Sequence, residues 1–255
     1  MAISVVQLAK MIDHSLLHPT MTDEQMTQEC LVAKEFNCAS VCIKPYAIPL
    51  AVKILAGSDV RVGTVVGFPH GSSTIEVKIE ESIQACKAGA VEIDIVVNVG
   101  KVVGGDWDYV SREIKGINDA VLAKGGIVKV IFETDFLVDS DIVRLCQVCS
   151  DHSVAFVKTS TGFGFVKQEN GMYSYNGATA RHLSLMRTHS AAHVQVKASG
   201  GVRTLEALLK ARTLGVTRVG ATATKAILTR AAQLVDQGQD LDRLDIADKE
   251  LGGGY

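Results

Sequence analysis

The chain has 255 residues, of which 47% are hydrophobic and 21% are charged, and its formal net charge at pH 7 is −2. This composition is ordinary for a globular protein, and the length suits one large domain, since single α/β barrels often have about this size. The small negative charge provides no electrostatic reason to expect nucleic acid or an acidic membrane as a partner.

Targeting and redox features both favour the cytoplasm. The N-terminal segment lacks the long apolar stretch of a secretory signal peptide, and no apolar run approaches the ~18 residues of a membrane-spanning helix. The six cysteines are irregularly spaced, as expected for reduced thiols. Cys146 and Cys149 form a C-x-x-C pair, but no second pair accompanies it, so we interpret both as half-buried helix residues and expect no metal.

Short β-rich segments alternate with helical segments along the chain. The predicted strands lie near residues 11–17, 39–43, 60–66, 90–97, 127–133, 153–159, 193–198 and 217–220. Thr22 and Gln25 have the spacing of a helix capping box, and Ser73 and Glu76 repeat this spacing before a later helix. The residues of the later helix that share an apolar face are Ile75, Ile79, Ile83 and Cys86.

Eight strands that alternate with eight helical segments, without a linker or low-complexity stretch, favour a closed (β/α)8 TIM barrel. We assign residues 1–255 to this single domain, with a flexible glycine-rich tail at about residues 251–255. A doubly wound open sheet is the alternative architecture.

Side-chain alternation within the strands also favours the barrel, because successive strand residues point to opposite faces. Charged residues occur at matching positions of four successive strands, and these residues are Asp94, Lys129, Lys158 and Lys197. Helices cover both faces of an open parallel sheet and would leave these charges in apolar packing. A closed barrel instead places them inside, near the mouth where active sites form.

Lys158 and Lys197 lie near the ends of the sixth and seventh predicted strands, which are neighbours in a barrel. A free lysine has a pKa of about 10.4, but burial and a second nearby cation both lower the pKa of an amine. The pair therefore predicts a nucleophilic amine that forms a Schiff base with a carbonyl substrate. The alternative is that the lysines form salt bridges inside the barrel with Asp94, Glu133 or Glu92.

Asp94 is the candidate for proton transfer, directly or through a held water, and Lys129 on the next strand would keep it ionised. Asp13, at the end of the first predicted strand, either joins this network or caps a loop. Three histidines are expected to be loop or packing residues, and these are His14, His18 and His70.

Glycine-rich turns follow the last three predicted strands, in the segments TSTGFG, SGGVRT and VGATATK. Glycine lets backbone N–H groups approach a ligand without interference from a side chain, and the last two turns lead into helix N-termini, where the helix dipole favours an anion. Phosphate commonly binds at this corner of a TIM barrel. The turns therefore predict a phosphate site next to the two lysines.

From residue 11 to about residue 225 the sequence resembles the deoxyribose-phosphate aldolase family. The matching segments occur in the family's order, and they are IDHSLLHP, SVCIKPYAIPLA, VGTVVGFPHG, GAVEIDIVVNVG, VKVIFET, FVKTSTGFG, VKASGGVRT and RVGATATK. The resemblance implies a (β/α)8 barrel, without metal or cofactor, that reversibly cleaves 2-deoxy-D-ribose 5-phosphate to acetaldehyde and D-glyceraldehyde 3-phosphate.

The resemblance also implies roles for individual residues. It assigns the Schiff base to Lys158, the activating amine to Lys197 and the proton relay to Asp94. Asp13 and Lys129, which come from the strand pattern, complete the predicted catalytic set. Phosphate binding is expected of five residues in the glycine-rich turns, and these are Gly162, Gly200, Gly201, Gly220 and Thr222.

Three features depart from the family pattern. Residues 221–224 (ATAT) follow the eighth strand where the family commonly has paired serines, and Lys44 stands where many relatives have an uncharged residue. The loop 163–177 looks longer than the family's connection and is interpreted as a lid, an oligomer contact or a neutral insertion. The terminal Tyr255 either reaches the barrel mouth or belongs to a disordered tail.

Three functions are compatible with these features. The leading one is deoxyribose-phosphate cleavage, and the second is a related class I aldolase with a different acceptor aldehyde, phosphorylated or unphosphorylated. A catalytically silent sugar-phosphate-binding barrel is the third, although binding alone needs no amine of lowered pKa. The expected partners are small sugar phosphates and aldehydes, with neither nucleic acid nor membrane, and a homodimer is compatible with the fold.

Overall fold

Eight parallel strands close into a barrel in the computed structural model of the protein, which describes residues 3–246 and residue 251. The barrel strands are β1 (Ile12–Leu16), β2 (Ser40–Ile43), β3 (Arg61–Val66), β4 (Glu92–Val96), β5 (Ile127–Ile131), β6 (Phe156–Lys158), β9 (Gln195–Ser199) and β10 (Arg218–Ala221). They follow one another in chain order, and β10 pairs in parallel with β1. The predicted TIM barrel is therefore confirmed, and the open sheet is wrong.

All eight predicted strands are present, with ends that differ by a few residues from the predicted ones. The largest difference is in the predicted strand 153–159, which is reduced to Phe156–Lys158. Ser153 has a φ of 52°, which belongs to the turn that follows the preceding helix and not to an extended strand.

Helices outside the barrel connect the strands. They are α1 (Val5–Ala9), α2 (Asp23–Glu35), α3 (Ile48–Leu55), α4 (Ile75–Lys87), α5 (Val99–Val103), α6 (Trp107–Leu122), α7 (Asp139–Asp151), α8 (Ala180–His189), α9 (Leu205–Thr213) and α10 (Thr224–Asp236). Thr22 and Gln25 form the predicted capping box of α2. The prediction of Ser73 as the cap of α4 is wrong, since Thr74 accepts the hydrogen bond from the Val77 N–H.

The main core lies between the strands and the helices, where outward residues such as Ile93 and Ile95 are fully buried. Helix α4 buries a different face from the predicted one. Its buried residues are Lys78, Ser82 and Ala85, whereas the predicted apolar face is only half-buried. The predicted face is wrong because Lys78 points into the interface with α6.

Lys78 and Glu113 of α6 form a fully buried ion pair. Lys78 Nζ lies 2.7 Å from Glu113 Oε1 and donates to the carbonyl oxygens of Gly71 at 2.6 Å and Val96 at 2.8 Å. Glu113 Oε2 accepts from the Asn98 N–H at 2.9 Å. Burial lowers the pKa of Lys78 and raises that of Glu113, and their mutual attraction opposes both changes. Through its hydrogen bonds to Gly71 and Val96, Lys78 links the loop after β3 to the end of β4.

The loop 163–177 forms a small antiparallel hairpin, β7 (Val166–Lys167) and β8 (Tyr173–Ser174), which is outside the barrel. The Asp135 carboxylate accepts hydrogen bonds from the N–H groups of Asn176 at 2.7 Å and Gly177 at 2.9 Å. The Phe165 and Tyr175 rings meet edge to face, with centroids 5.2 Å apart. The segment is therefore an ordered element attached to the barrel mouth.

Three further sequence predictions concern membrane spans, the C-x-x-C pair and the C-terminal tail. Within the described residues, no helix combines the length and the apolar character that crossing a bilayer requires. Cys146 and Cys149 lie in α7 as predicted, but they are fully buried and not half-buried. Leu251, at the start of the predicted tail, is buried, and residues 252–255, including Tyr255, lie outside the described residues.

Replacing Glu113 with leucine should lower the free energy of unfolding by about 3–5 kcal/mol, because Lys78 then stays buried without its counter-charge. The double variant Lys78→Met with Glu113→Leu should recover part of this loss, since it removes both charges. Urea unfolding followed by circular dichroism measures both effects.

The matched control is Asp119→Ala, which removes an exposed ion pair with Lys115 on the same helix and should leave the free energy of unfolding nearly unchanged. Equal losses in the single and double variants would contradict the electrostatic explanation.

Candidate active site

The strand register brings the predicted catalytic residues together inside the barrel. Lys158 on β6 is the direct partner of Lys197 on β9, and Asp94 on β4 is the partner of Lys129 on β5. Strands β6 and β9 are neighbours, although β7 and β8 separate them in the chain, because the hairpin stands outside the barrel. The two lysines are therefore adjacent, as the strand count predicts.

Asp94 lies at the centre of the site. Its Oδ2 atom accepts hydrogen bonds from Lys158 Nζ at 2.8 Å and from Lys197 Nζ at 2.7 Å. Its Oδ1 atom accepts from Lys129 Nζ at 2.9 Å. All four side chains are buried. One carboxylate thus joins the three lysines that the strand pattern assigns to the inner face.

Asp13 belongs to the same network and does not cap a loop. Its Oδ2 atom lies 2.5 Å from Lys197 Nζ and 3.1 Å from Lys129 Nζ. Its Oδ1 atom accepts from Arg218 Nη1 at 2.5 Å and from Ser40 Oγ at 2.6 Å. Neither Arg218 nor Ser40 is singled out by the sequence analysis. Side chains along β10 alternate between the two faces, so Arg218 lies on the inner face together with Gly220. This pattern is the signal by which the sequence could have identified Arg218.

The cations of this network have unequal numbers of carboxylate partners. The network contains three buried carboxylates and four cationic side chains, namely Asp13, Glu92, Asp94, Lys129, Lys158, Lys197 and Arg218. Lys129 contacts all three carboxylates and Lys197 contacts two, whereas Lys158 contacts a single one among the described residues. At the edge of the network the exposed Arg61 also contacts Glu92, at 3.3 Å. Loss of the Lys158 proton would disturb the fewest ion pairs.

The pKa changes follow from these contacts. Burial lowers the pKa of the Lys158 amine, Asp94 opposes this change, and the Lys197 cation adds to the lowering. Burial acts on Lys197 in the same direction, but Asp13 and Asp94 together raise its pKa above the ordinary value. For Asp94, burial alone would raise the pKa, but the cations of Lys129, Lys158 and Lys197 hold it well below its usual range. Lys158 is therefore the nucleophile candidate, and Lys197 remains a cation.

A cavity of about 440 Å³ opens above this network, at the C-terminal ends of β6, β9 and β10. Asp13, Lys158 and Lys197 line the cavity, whereas Asp94 and Lys129 lie beneath it. The Lys158 amine is therefore accessible from the cavity, whereas the Asp94 carboxylate is not part of its lining.

The five predicted phosphate-binding residues all line this cavity. Gly162, Gly200 and Gly201 have φ values of 86°, 89° and 86°, a left-handed backbone region that favours glycine. At Gly220, an added Cβ would lie 3.1 Å from Ser199 Cβ and 3.6 Å from Lys197 Cε, so this glycine permits the close approach of β9. The glycine turns thus form one wall of the cavity, beside the two lysines.

Aromatic residues that the sequence analysis does not single out form another wall. Phe163, Phe165 and Tyr175, at the ends of the hairpin segment, line the cavity. The Phe163 ring meets that of Phe68 edge to face, with centroids 5.6 Å apart. Both ends of the segment 163–177 thus face the cavity, while its interpretation as a lid, an oligomer contact or a neutral insertion stays a prediction.

Lys44, which departs from the family pattern, contacts the loop after β1 that lines another side of the cavity. Its Nζ atom donates to the carbonyl oxygen of Met21, a residue of this loop, at 2.7 Å.

The three histidines are loop or packing residues, as the sequence analysis predicts. His14 is a packing residue, with its ring nitrogens 2.7 Å from Thr224 Oγ1 and 2.8 Å from Glu29 Oε2. His18 lies in a loop that lines the cavity, and His70 is exposed.

Comparison with known proteins agrees with this geometry. The family model for DeoC/LacD family aldolases matches residues 7–231. A deoxyribose-phosphate aldolase from Rhodopirellula baltica is 44% identical over 224 residues, covering 88% of this chain and 89% of the relative. Another, from Caldanaerobacter subterraneus, is 43% identical over 221 residues, covering 86% and 91%.

Among solved structures, a tetrameric deoxyribose phosphate aldolase from Aeropyrum pernix is 26% identical, with a TM-score of 0.80 and coverage of 91% of this chain and 93% of that one. The family match covers most of the chain, and it includes both lysines and the glycine turns. The predicted family is therefore confirmed, and the chain belongs to the DeoC/LacD family of aldolases.

Proposed function

We propose that the protein reversibly cleaves 2-deoxy-D-ribose 5-phosphate to acetaldehyde and D-glyceraldehyde 3-phosphate through a Schiff base on Lys158. One observation carries the proposal. Two adjacent buried amines lie at the base of the cavity, and the pKa of Lys158 is lowered whereas that of Lys197 is raised. The names of the relatives from Rhodopirellula baltica and Caldanaerobacter subterraneus support the same reaction.

The reaction starts with attack of the neutral Lys158 amine on the C1 aldehyde of the open-chain sugar, and the carbinolamine loses water to form an iminium. The iminium accepts electrons as the C2–C3 bond breaks and the 3-hydroxyl group loses its proton, which releases glyceraldehyde 3-phosphate. The enamine that remains takes up a proton at C2. Water then attacks the new iminium, releases acetaldehyde and restores Lys158.

The network below the cavity supports the proton transfers of this sequence. Asp94 Oδ2 accepts from both Lys158 and Lys197, so a proton that leaves one amine has a short path to the other. Lys197 lines the cavity and can exchange a proton with the bound substrate. Lys129 keeps Asp94 ionised from below, and Asp13 holds Lys197 in its cationic form.

The glycine wall supports binding of the substrate phosphate. Gly162, Gly200 and Gly201 offer backbone N–H groups in a left-handed conformation, which suits close approach to an anion. Gly220 and Thr222 line the same cavity, and the Thr222 hydroxyl group is an additional donor.

Turnover of deoxyribose 5-phosphate by the purified protein tests the proposal directly. A dehydrogenase that oxidises glyceraldehyde 3-phosphate couples its release to an absorbance change, and absence of turnover would remove the proposal. Reduction with borohydride in the presence of acetaldehyde, followed by mass spectrometry, should locate an adduct on Lys158, which a silent sugar-phosphate-binding barrel would not form.

An aldolase for an unphosphorylated acceptor aldehyde is the second candidate function. The aromatic wall formed by Phe163, Phe165 and Tyr175 favours it, since these side chains suit an apolar acceptor. The comparison to make is between the kcat/KM values for aldol addition of acetaldehyde to phosphorylated and unphosphorylated aldehydes. Much slower reaction of every unphosphorylated aldehyde would exclude this candidate.

Lys158→Ala should abolish turnover of deoxyribose 5-phosphate and the acetaldehyde adduct, because the network then lacks the amine that bonds the carbonyl. The coupled assay and mass spectrometry measure both losses. Lys167→Ala, which removes an exposed lysine of the hairpin, is the control and should retain both activities. Near-normal turnover by Lys158→Ala would mean that another residue is the nucleophile.

Lys197→Leu should leave little turnover and should move the pH dependence of Schiff-base formation to higher pH. Burial is the largest cause of the lowered Lys158 pKa, and the Lys197 cation adds to it, so removal of this cation raises the pKa. A smaller fraction of Lys158 is then neutral at each pH, and the rate of borohydride trapping should rise only in more alkaline buffer. A shift to lower pH, or no shift, would contradict the proposed role.

The assembly and location of the protein stay predictions. The tetramer from Aeropyrum pernix supports an oligomer, and analytical ultracentrifugation would distinguish the predicted homodimer from a tetramer. The cytoplasmic location predicted from the cysteines and the N-terminal segment is tested by fractionation of the source cells.

A further inference from the structure

Glu133 is a buried acid that the mechanism above does not use. It follows β5 directly, and its side chain is only 2% exposed. Its backbone is left-handed, with φ of 58° and ψ of 63°, which is uncommon for a residue other than glycine and costs free energy. The Thr134 N–H donates to the Thr159 carbonyl oxygen at 3.1 Å, which holds Glu133 next to the end of β6.

The Glu133 carboxylate contacts the turn that follows the Lys158 strand. It accepts hydrogen bonds from the Thr161 hydroxyl group and from the Thr161 N–H at 3.2 and 3.3 Å. Thr161 Oγ1 in turn accepts from the Phe163 N–H at 2.9 Å. At Gly164, an added Cβ would lie 2.4 Å from Glu133 Cδ, so the turn packs directly against the carboxylate.

The turn 161–164 contributes to the lining of the cavity, whereas Glu133 does not. Thr161, Gly162 and Phe163 line the cavity, and Gly162 is one of the residues proposed to bind the substrate phosphate. Glu133 therefore fixes one edge of the glycine wall relative to Lys158, which precedes the turn in the same segment. Because Glu133 does not line the cavity, any effect on the substrate passes through the turn.

Burying the Glu133 carboxylate has a cost in folding free energy. Burial raises the pKa of Glu133 to about 7, although the hydrogen bonds from Thr161 oppose the increase. If Glu133 served only to fill space, an apolar residue could replace it with little loss of stability. Its hydrogen bonds to the turn are the contacts that an apolar residue cannot provide.

We propose that Glu133 is a positioning residue which holds the turn 161–164 in the shape that binds the phosphorylated part of the substrate. This inference rests on the proposed function. Glu133 should therefore affect the binding of deoxyribose 5-phosphate and not the capture of acetaldehyde, which has no phosphate and needs only the Lys158 amine.

The test measures two reactions in the same variants, Glu133→Ala and Thr161→Val. Both should raise KM for deoxyribose 5-phosphate roughly tenfold to a hundredfold, the range expected for loss of hydrogen bonds to a charged group. The rate of borohydride trapping with acetaldehyde should stay within about twofold of the native rate, a change smaller than one neutral hydrogen bond produces.

Conservative variants separate positioning from simple loss of folding. Thr161→Ser keeps the hydroxyl group and should have a nearly native KM, and Glu133→Gln keeps one acceptor and should lie between native protein and Glu133→Ala. Glu169→Gln, in the exposed tip of the hairpin, is the matched control and should leave both reactions unchanged. Circular dichroism monitors folding of each variant.

The possible outcomes separate this inference from the proposed function. If the native protein turns over deoxyribose 5-phosphate and Glu133→Ala keeps its KM, the positioning role is overturned. A parallel loss of acetaldehyde trapping would also overturn it, since Glu133 would then act at the Schiff base. If the native protein traps acetaldehyde but does not turn over deoxyribose 5-phosphate, the proposed function fails and this inference fails with it.

Discussion

Asp94 accepts hydrogen bonds from three buried lysines, and these lysines differ in the number of carboxylates around them. In the barrel interior an unbalanced charge is costly, so the amine with the fewest carboxylate contacts releases its proton most easily. Among the described residues, that amine is Lys158, while Lys197 has Asp13 as an additional partner. The same ion pairs that look like structural salt bridges therefore make one lysine different from its neighbours. The ion pairs and the proposed nucleophile thus belong to one network, and the nucleophilic role of Lys158 stays a proposal.

The closed barrel supplies the geometry that this network needs. Lys158 and Lys197 share one register position because β6 and β9 pair across the hairpin that separates them in the chain. The cavity above them has a glycine wall and an aromatic wall, and the turn at 161–164 connects the two. The Glu133 carboxylate contacts this turn by accepting a hydrogen bond from the Thr161 hydroxyl group. Lys158 and Gly162, one member of the glycine wall, thus lie in consecutive parts of one segment, which places the Lys158 amine next to one edge of the proposed phosphate site.

The positions of most of the proposed catalytic residues were predictable because they depend on short-range patterns. Side-chain alternation with a period of two residues assigns Asp94, Lys129, Lys158 and Lys197 to one face, whatever the tertiary structure is. Features that depend on a distant partner were not predictable. The buried face of α4 was predicted wrongly because Lys78 finds Glu113 35 residues away, on a different helix. The capping prediction at residue 73 failed because neighbouring Ser73 and Thr74 are both acceptable caps, and only the observed hydrogen bond to Val77 distinguishes them.

The sequence by itself determined the number and order of the barrel strands, the inward position of the charged residues and the location of the glycine turns. Each of these follows from local periodicity or from the conformational freedom of glycine, which the chain carries in any fold. Only the tertiary structure decided whether Asp13 joins the network or caps a loop, that Arg218 contacts Asp13, and that Glu133 supports the turn after Lys158. Contacts between residues far apart in the chain depend on barrel closure and strand register, and a linear pattern does not contain that information.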